Sequence, residues 1–322
     1  MIYVLGCVNN DITLECERLP KKGETITAEA CRTQLGGKGA CQAAAVARLS
    51  ARRGENKPSV KMIGRVGKDA VGSKLIETLR SFGVDTEFVR QVNRTTGSVF
   101  SFTSGRDKRA IVYGGANNTI NKSDIDEAFA GATDSDTFLC QLEAPLYIVA
   151  YALRKARMLG MTTVLKPAPF KELPEDMFYN VDILVANAEE TQELTGVAPD
   201  DRDGEILAAE RIHSMGVPYA VITLGERGVA FSDGGKMNAH LPARKVSVVD
   251  TTGVGDTFVG ALALTYPQIG MYSFGEACGF AVKAASITAS RLGGIESVPT
   301  FDEVCALYNN EIKRPFFKKL GR

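Results

Sequence analysis

The stretch VDTTGVGDTFVGA, Val249 to Ala261, sets two aspartates and a Gly-x-Gly turn in front of an apolar helical pattern. Glycine at Gly253 and Gly255 leaves backbone N–H groups unobstructed by a Cβ. Such groups at a helix N-terminus form an anion site, here Gly253, Val254 and Gly255. Asp256 then falls in the first helical turn. It is either a helix N-cap, which aspartate serves well, or a carboxylate beside an anion hole. In the second case it takes a proton from a hydroxyl as that hydroxyl attacks a phosphate. Asp250 either closes an Asx-turn or holds a substrate hydroxyl.

Three further stretches carry candidate chemistry. In LGGKGACQAAAVARL, Gly36, Gly37 and Gly39 surround Lys38 before an alanine-rich helix. This is a flexible turn or a place where backbone closely approaches a polyhydroxyl ligand. In LVANAEETQELTG, Asn187 and Glu190 flank a helix start. Asn187 is its N-cap, or the pair organises magnesium through waters, since magnesium keeps waters and takes few direct protein ligands. In VITLGERGVAFS, Thr223, Gly225 and Gly228 lie in a strand-turn-strand pattern. They form a plain hairpin turn or bring hydroxyl and backbone groups to a phosphate or adenine edge.

Other chemistries are excluded by pattern. No Gly-x-x-x-x-Gly-Lys-Ser/Thr occurs, so there is no nucleotide P-loop, and Phe258 breaks the Gly-x-Gly-x-x-Gly dinucleotide fingerprint. No Gly-x-Ser-x-Gly elbow is present. His213 in a helical pattern and His240 in a loop have no clustered partners for zinc.

Apolar runs alternate with helical patterns: Val60 to Gly64 then Gly72 to Ser81, Thr162 to Leu165, Ile183 to Ala186 then Glu189 to Leu194. Strands alternating with helices require crossovers, hence an α/β fold with a mostly parallel sheet covered on both faces. Val246 to Val249 reads as the strand feeding the Gly-x-Gly turn. Residues 12–35 and 87–113 break the rhythm with period-2 alternation, and read as a small antiparallel β flap beside a single domain spanning 1–322. Its apolar face calls for a lid role or a dimer partner.

The 322 residues carry 38 basic and 38 acidic side chains, so net charge gives no argument for nucleic acid or an anionic membrane. No apolar run approaches the ~18 residues of a membrane span. Met1 to Gly6 reads as a first strand rather than a signal peptide, and the C-terminal residues match no retention or peroxisomal address. The seven cysteines form no Cys-x-x-Cys pair, as expected of reduced thiols in a cytoplasmic protein.

Taken together, the motifs resemble the ribokinase family of carbohydrate kinases, also called the pfkB family. The resemblance spans nearly the whole chain: GCVNND (Gly6 to Asp11), GGKGA (Gly36 to Ala40), QLEAPL (Gln141 to Leu146), PAP (Pro167 to Pro169), NAEE (Asn187 to Glu190), TLGERG (Thr223 to Gly228) and VDTTGVGDTFVGAL (Val249 to Leu262). Each is weak alone; in this order and spacing they are specific. Within the family, Asn9-x-Asp11 with Gly36 to Ala40 is most similar to the members acting on ribose.

The resemblance implies a three-layer sandwich with a small lid and ATP-dependent phosphorylation of ribose at its 5-hydroxyl. It makes Asp256 the general base and the amides of Gly253 to Gly255 the anion hole. The sugar falls to Asn9, Asp11, Gly37, Lys38, Cys41, Glu143 and Asp250. The nucleotide falls to Asn187, Thr223, Gly225, Gly228 and Gly255, with magnesium organised by Asn187 and Glu190. An activating potassium ion falls to Asp250, Thr252, Thr288, Arg291, Gly293 and Ser297, several through carbonyls, and the lid implies a homodimer. Rival readings are a kinase for deoxyribose, another sugar or a nucleoside, and a non-catalytic sugar-binding regulator. Three positions depart from the family pattern. Cys41 replaces the sugar-contacting asparagine of GGKGANQ, and a thiol is a poor hydrogen-bonding substitute, at a cost of about 1–3 kcal/mol. Lys166 stands where NPAP carries asparagine. Val282 occupies a position often Asn or His beside the nucleotide.

Overall fold

A computed structural model describes residues 1–50, 60–105, 107–234, 238–266 and 273–311. In chain order, β1 (Ile2–Leu5), β2 (Asn9–Glu15) and β3 (Ala30–Gly36) precede α1 (Lys38–Ser50). Next come β4 (Val60–Gly67), α2 (Ala70–Ser81), β5 (Val89–Val92), β6 (Gly97–Ser104), β7 (Asp107–Tyr113) and α3 (Lys122–Ala128). Strands and helices then alternate through β8 (Thr137–Cys140), α4 (Leu146–Met158), β9 (Thr162–Leu165), α5 (Glu175–Phe178), β10 (Ile183–Asn187), α6 (Ala188–Thr195) and α7 (Arg202–Ser214). The last elements are β11 (Tyr219–Thr223), β12 (Val229–Asp233), β13 (Asn238–Leu241), α8 (Val254–Thr265), α9 (Phe274–Ala289) and α10 (Phe301–Glu311).

The main sheet has nine strands in the order β13-β12-β11-β10-β9-β8-β1-β4-β5. From β11 to β5 every pair is parallel; β12 and β13 return antiparallel at one edge. The expected α/β layering is the observed one. Ile2, Val4, Tyr3 and Leu5 of β1 are all buried, because helices cover both faces. Their alternation divides the core. Ile2 and Val4 pack with α1, α8 and α9 through Val46, Leu262 and Phe280. Tyr3 and Leu5 pack with β8, α4 and α7 through Phe138, Leu153 and Ile212.

A second sheet has four strands in the order β3-β2-β6-β7. Its outer pairs are antiparallel hairpins, and its central pair, β2 with β6, is parallel. Three local expectations are corrected. The flap's second segment starts at β6, because β5 pairs with β4 at the main sheet's edge. Val246 to Val249 is not a strand: β13 already fills that edge, and Val248 and Val249 are exposed, with Val249 N–H donating to the Ala289 carbonyl. His240 lies in β13 rather than in a loop.

Small residues set the helix spacing that matters below. A Cβ on Gly260 of α8 would lie 2.9 Å from Ala45 Cβ of α1. The alanine-rich face of α1 and this glycine let the two helices close, so their N-terminal turns meet over the sheet's carboxyl end.

Candidate active site

Ligands of open α/β sheets bind beyond the carboxyl ends of the parallel strands. Here β1 leads into β2, which opens with Asn9, β8 delivers Gln141 and Glu143, β9 delivers Lys166, β10 delivers Asn187 and β11 delivers Thr223. A cleft of about 830 Å³ runs over these ends. Lys38, Asp256, Lys166, Glu190, Gly255, Asn187, Thr223, Gly225 and Gly228 are among its lining, and the strand order β11-β10-β9-β8 sets Lys166 between Asn187 and Thr223 on one side and Gln141 and Glu143 on the other.

The polar end is built by close backbone approach. Gly37 has φ +87°, and a Cβ there would lie 2.4 Å from the Cys7 carbonyl oxygen. That turn aims the Lys38 N–H at Glu143 Oε2, 2.8 Å away, and leaves Lys38 Nζ 3.9 Å from Glu143 Oε1. Asp11 crosses over Gly36, where a Cβ would clash with its carboxylate at 2.0 Å. Asn9 is buried and its Oδ1 accepts from Asn117 Nδ2 at 2.8 Å. Cys41 sits in the first turn of α1, and its thiol feels the Asp256, Asp11 and Glu143 carboxylates. The expected sugar residues Asn9, Asp11, Gly37, Lys38, Cys41 and Glu143 thus converge around one space beside Asp256.

Asp256 occupies the first turn of α8, whose N-cap is Gly253 at φ +78° with no side-chain cap bond. Asp256 is therefore not capping its own helix. Its Oδ1 accepts from Gln42 Nε2 at 2.9 Å, and Gln42 Oε1 accepts from Gln141 Nε2 at 2.6 Å. Burial pushes the Asp256 carboxyl above the ordinary aspartate range, against the pull of Lys38, Gln42 and Lys166. Burial likewise raises Glu143, although Lys38 opposes it. For Lys38 burial acts to lower the pKa, but the Asp256 and Glu143 carboxylates outweigh it and hold the ammonium charged. A space at Gly255 stays open: a Cβ there would meet only Lys166 Cε, at 3.9 Å.

Asn187 and Glu190 form a capping box at the start of α6, Asn187 Oδ1 accepting from Glu190 N and Glu190 Oε2 from Asn187 N. Glu190 Oε2 also accepts from Lys166 Nζ at 2.7 Å. Thr223 ends β11, and Gly225 and Gly228 shape the turn into β12, with φ +60° and +102°.

Asp250 lies in the loop that leads into α8. Its Oδ1 accepts from Thr252 N at 2.9 Å, the Asx-turn, and its Oδ2 from Gly293 N at 3.2 Å. Asp250, Thr252 and Gly293 therefore come together as expected of a cation loop. Thr288 Oγ1 instead donates to Thr257 Oγ1, Ser297 Oγ donates to the Gly294 carbonyl, and Arg291 pairs with Glu303. Their side chains point to these partners, so a contribution from them to a cation falls to main-chain carbonyls.

Sequence reasoning missed Gln42, Gln141 and Lys166 as site residues. Both glutamines are fully buried in the fold, but nothing in the sequence shows that burial or the partners it forces on them.

Residues 1–301 match the family model described as pfkB family carbohydrate kinase. The chain belongs to the pfkB family of carbohydrate kinases. It is 33% identical over 306 residues to a ribokinase of Staphylococcus aureus (strain COL), covering 94% of this chain and 98% of the relative. It is 32% identical over 305 residues to a deoxyribokinase of Salmonella typhimurium, covering 94% and 96%. Among solved structures, an Arabidopsis thaliana ribokinase complexed with ribose and ATP superposes with a TM-score of 0.85 at 32% identity, over 95% of this chain and 97% of that one. ATP as phosphoryl donor fits the family. Among the described residues no helix is long and apolar enough to cross a membrane.

Proposed function

We propose that the chain transfers the γ-phosphoryl group of ATP to the 5-hydroxyl of D-ribose, giving ribose 5-phosphate and ADP, with Asp256 as general base. The observation that carries this reading is the N-terminus of α8, which no side chain caps, with Gly255 and Asp256 lining the cleft beside Lys38 and the Asp256 charge felt at both Lys38 and Glu143. Asn9, Asp11, Gly37, Lys38 and Glu143 hold the sugar hydroxyls, with Asp250 supporting the loop behind the anion hole. Asp256 takes the proton as the hydroxyl oxygen bonds to the γ-phosphorus and the bridging bond to ADP breaks. The Gly253 to Gly255 amides receive the charge on the group in flight. Thr223, Gly225, Gly228 and Asn187 carry the nucleotide. Little covalent chemistry is needed beyond positioning.

Asn187 and Glu190 fit a role toward magnesium through water rather than by direct ligation, because Asn187 Oδ1 and Glu190 Oε2 are engaged in the capping box. Magnesium bound there supplies charge neutralisation to the phosphates. Potassium fits the Asp250, Thr252 and Gly293 turn, with carbonyls of Thr288, Arg291 and Ser297 completing the set, and supplies positive charge behind the anion hole. We take residues 1–322 as one cytoplasmic kinase unit, with the four-stranded sheet as its lid. Phe100 and Ile111 pair across β6 and β7 and are exposed, which supports a homodimer clasped through this sheet.

Cys41 favours a second reading, a related kinase for deoxyribose, another sugar or a nucleoside. A thiol in this polar space gives a sugar hydroxyl a weak partner. Coupled phosphorylation assays on ribose, 2-deoxyribose, arabinose, xylose, fructose and adenosine, with magnesium and potassium, test both. Highest kcat/KM on ribose supports the first reading, and a faster rival sugar replaces it with the second. No sugar-dependent turnover at all leaves a sugar-binding regulator.

A further inference from the structure

Lys166 follows the last residue of β9 and is 8% exposed, lining the cleft. An ammonium carries three donors. One bonds Glu190 Oε2 at 2.7 Å. The side chain also reaches the anion hole, since Lys166 Cε lies 3.9 Å from the place a Cβ on Gly255 would take. Its charge is felt at Asp256, where it pulls against burial. Lys166 therefore stands between Asp256, where the acceptor hydroxyl would sit, and Asn187 and Thr223 at the nucleotide end.

A buried lysine–carboxylate pair alone gains little over an apolar pair of similar volume. Placing that pair in the wall of a phosphate cleft, beside the open space at Gly255, gives the remaining donors an anionic partner. We propose that Lys166 is a phosphoryl-binding residue, its ammonium donating to a nonbridging oxygen of the transferring group alongside the Gly253 to Gly255 amides. The inference rests on the kinase reading above and deepens it. It assigns the position a cationic donor where the family pattern has a neutral amide. Glu190 then acts on Lys166 as a positioning residue, holding the side chain in one rotamer against its own entropy.

The test compares unmodified protein, Lys166→Met, Glu190→Gln and the double variant, each first checked for an unchanged melting profile. Calorimetry measures binding of ADP and of a β,γ-imido ATP analogue, and steady-state kinetics measure turnover. For Lys166→Met the analogue should bind roughly ten- to a hundredfold more weakly, as for loss of a charge-assisted hydrogen bond, while ADP affinity stays within about threefold. The fall in kcat should reach roughly a hundredfold or more, as for an oxyanion donor, with sugar KM unchanged. Added to Glu190→Gln, the same substitution should still lower kcat, but by a smaller factor, because Glu190→Gln has already loosened the Lys166 side chain. If Lys166 merely neutralises Glu190, the double variant will match Glu190→Gln and the analogue-to-ADP ratio will not move; either result overturns the inference. The binding arm needs no turnover. Unmodified protein without sugar-dependent turnover sinks the kinase reading, whereas normal turnover with an unchanged binding ratio in Lys166→Met sinks this inference alone.

Discussion

Gln42→Leu is the most informative single perturbation of the proposed base. Gln42 is fully buried. Its amide orientation is fixed from behind, because Gln141 Nε2 donates to Gln42 Oε1 at 2.6 Å, leaving Nε2 to donate to Asp256 Oδ1 at 2.9 Å. Burial holds the Asp256 carboxyl above the ordinary range, and Gln42 is one of the groups that pull it back. Leucine keeps the volume and removes the donor. A hydrogen bond to a charged acceptor contributes about 1.5–3 kcal/mol. Its loss favours the protonated carboxyl, which is the inactive form of a general base. The acid limb of the kcat/KM–pH profile therefore moves to higher pH. At a pH on that limb, kcat/KM falls roughly ten- to a hundredfold by the same energy, and raising the pH recovers it. The substitution also leaves Gln141 Nε2 without its acceptor, costing about 1–3 kcal/mol in a denaturant titration. A destabilised protein with an unmoved acid limb would refute the reasoning, since Gln42 would then be packing only and Asp256 would not be the group it tunes.

Asp256→Asn should abolish nearly all turnover yet raise the melting temperature at neutral pH. A carboxyl with a raised folded pKa keeps its proton after the unfolded chain, near pH 3.9, has released it. Its burial therefore costs nothing below that pH, and the cost grows until the folded group has ionised. The gain over the unmodified protein should vanish in acid and widen as pH rises; a lower melting temperature at neutral pH would count against it. Gly255→Ala should fold and melt slightly higher, since alanine suits a helix by about 0.5–1 kcal/mol and its Cβ meets nothing closer than 3.9 Å. The methyl group enters the anion hole, so kcat should drop, and an unchanged kcat would move the phosphoryl site elsewhere. Cys41→Asn should lower the KM for ribose roughly tenfold, and a raised KM would point to a different sugar. Turnover should be higher in potassium than in sodium or a bulky organic cation, and equal rates in all three would remove the cation from the Asp250 loop.

The layered fold was legible because β-branched runs and helical periods each report one local geometry. The runs Thr162 to Leu165 and Ile183 to Ala186 became β9 and β10 with nearly the expected ends. The glycine turns were legible too, since Gly37, Gly225, Gly228 and Gly253 all take positive φ that other residues resist. Val246 to Val249 failed because alternation reports which side chains face which way, not whether a sheet edge is free to receive them. The central parallel pair of the lid was invisible for a related reason. β2 and β6 pair residues 88 apart throughout, from Asn9 with Gly97 to Glu15 with Thr103, and nothing local to either strand specifies a parallel neighbour.

The proposed site divides along the same line. Asp256 was visible because its chemistry and its helix start share one short motif. Gln42 and Gln141 were not, although both lie inside quoted motifs, because their function exists only between elements. The alanines of α1 and Gly260 of α8 set the helix separation. That separation alone makes Gln42 a donor to Asp256 rather than an unpaired amide in an apolar helix. Lys166 was seen only as a departure from a pattern. Its meaning comes from the end of β9 meeting the starts of α6 and α8, with Glu190 2.7 Å from its ammonium and the open side of Gly255 beside its stem. Sequence motifs thus locate groups whose partners are near in the chain. The groups that tune them sit on neighbouring elements, and small side chains, which carry no chemistry, decide how near those elements come.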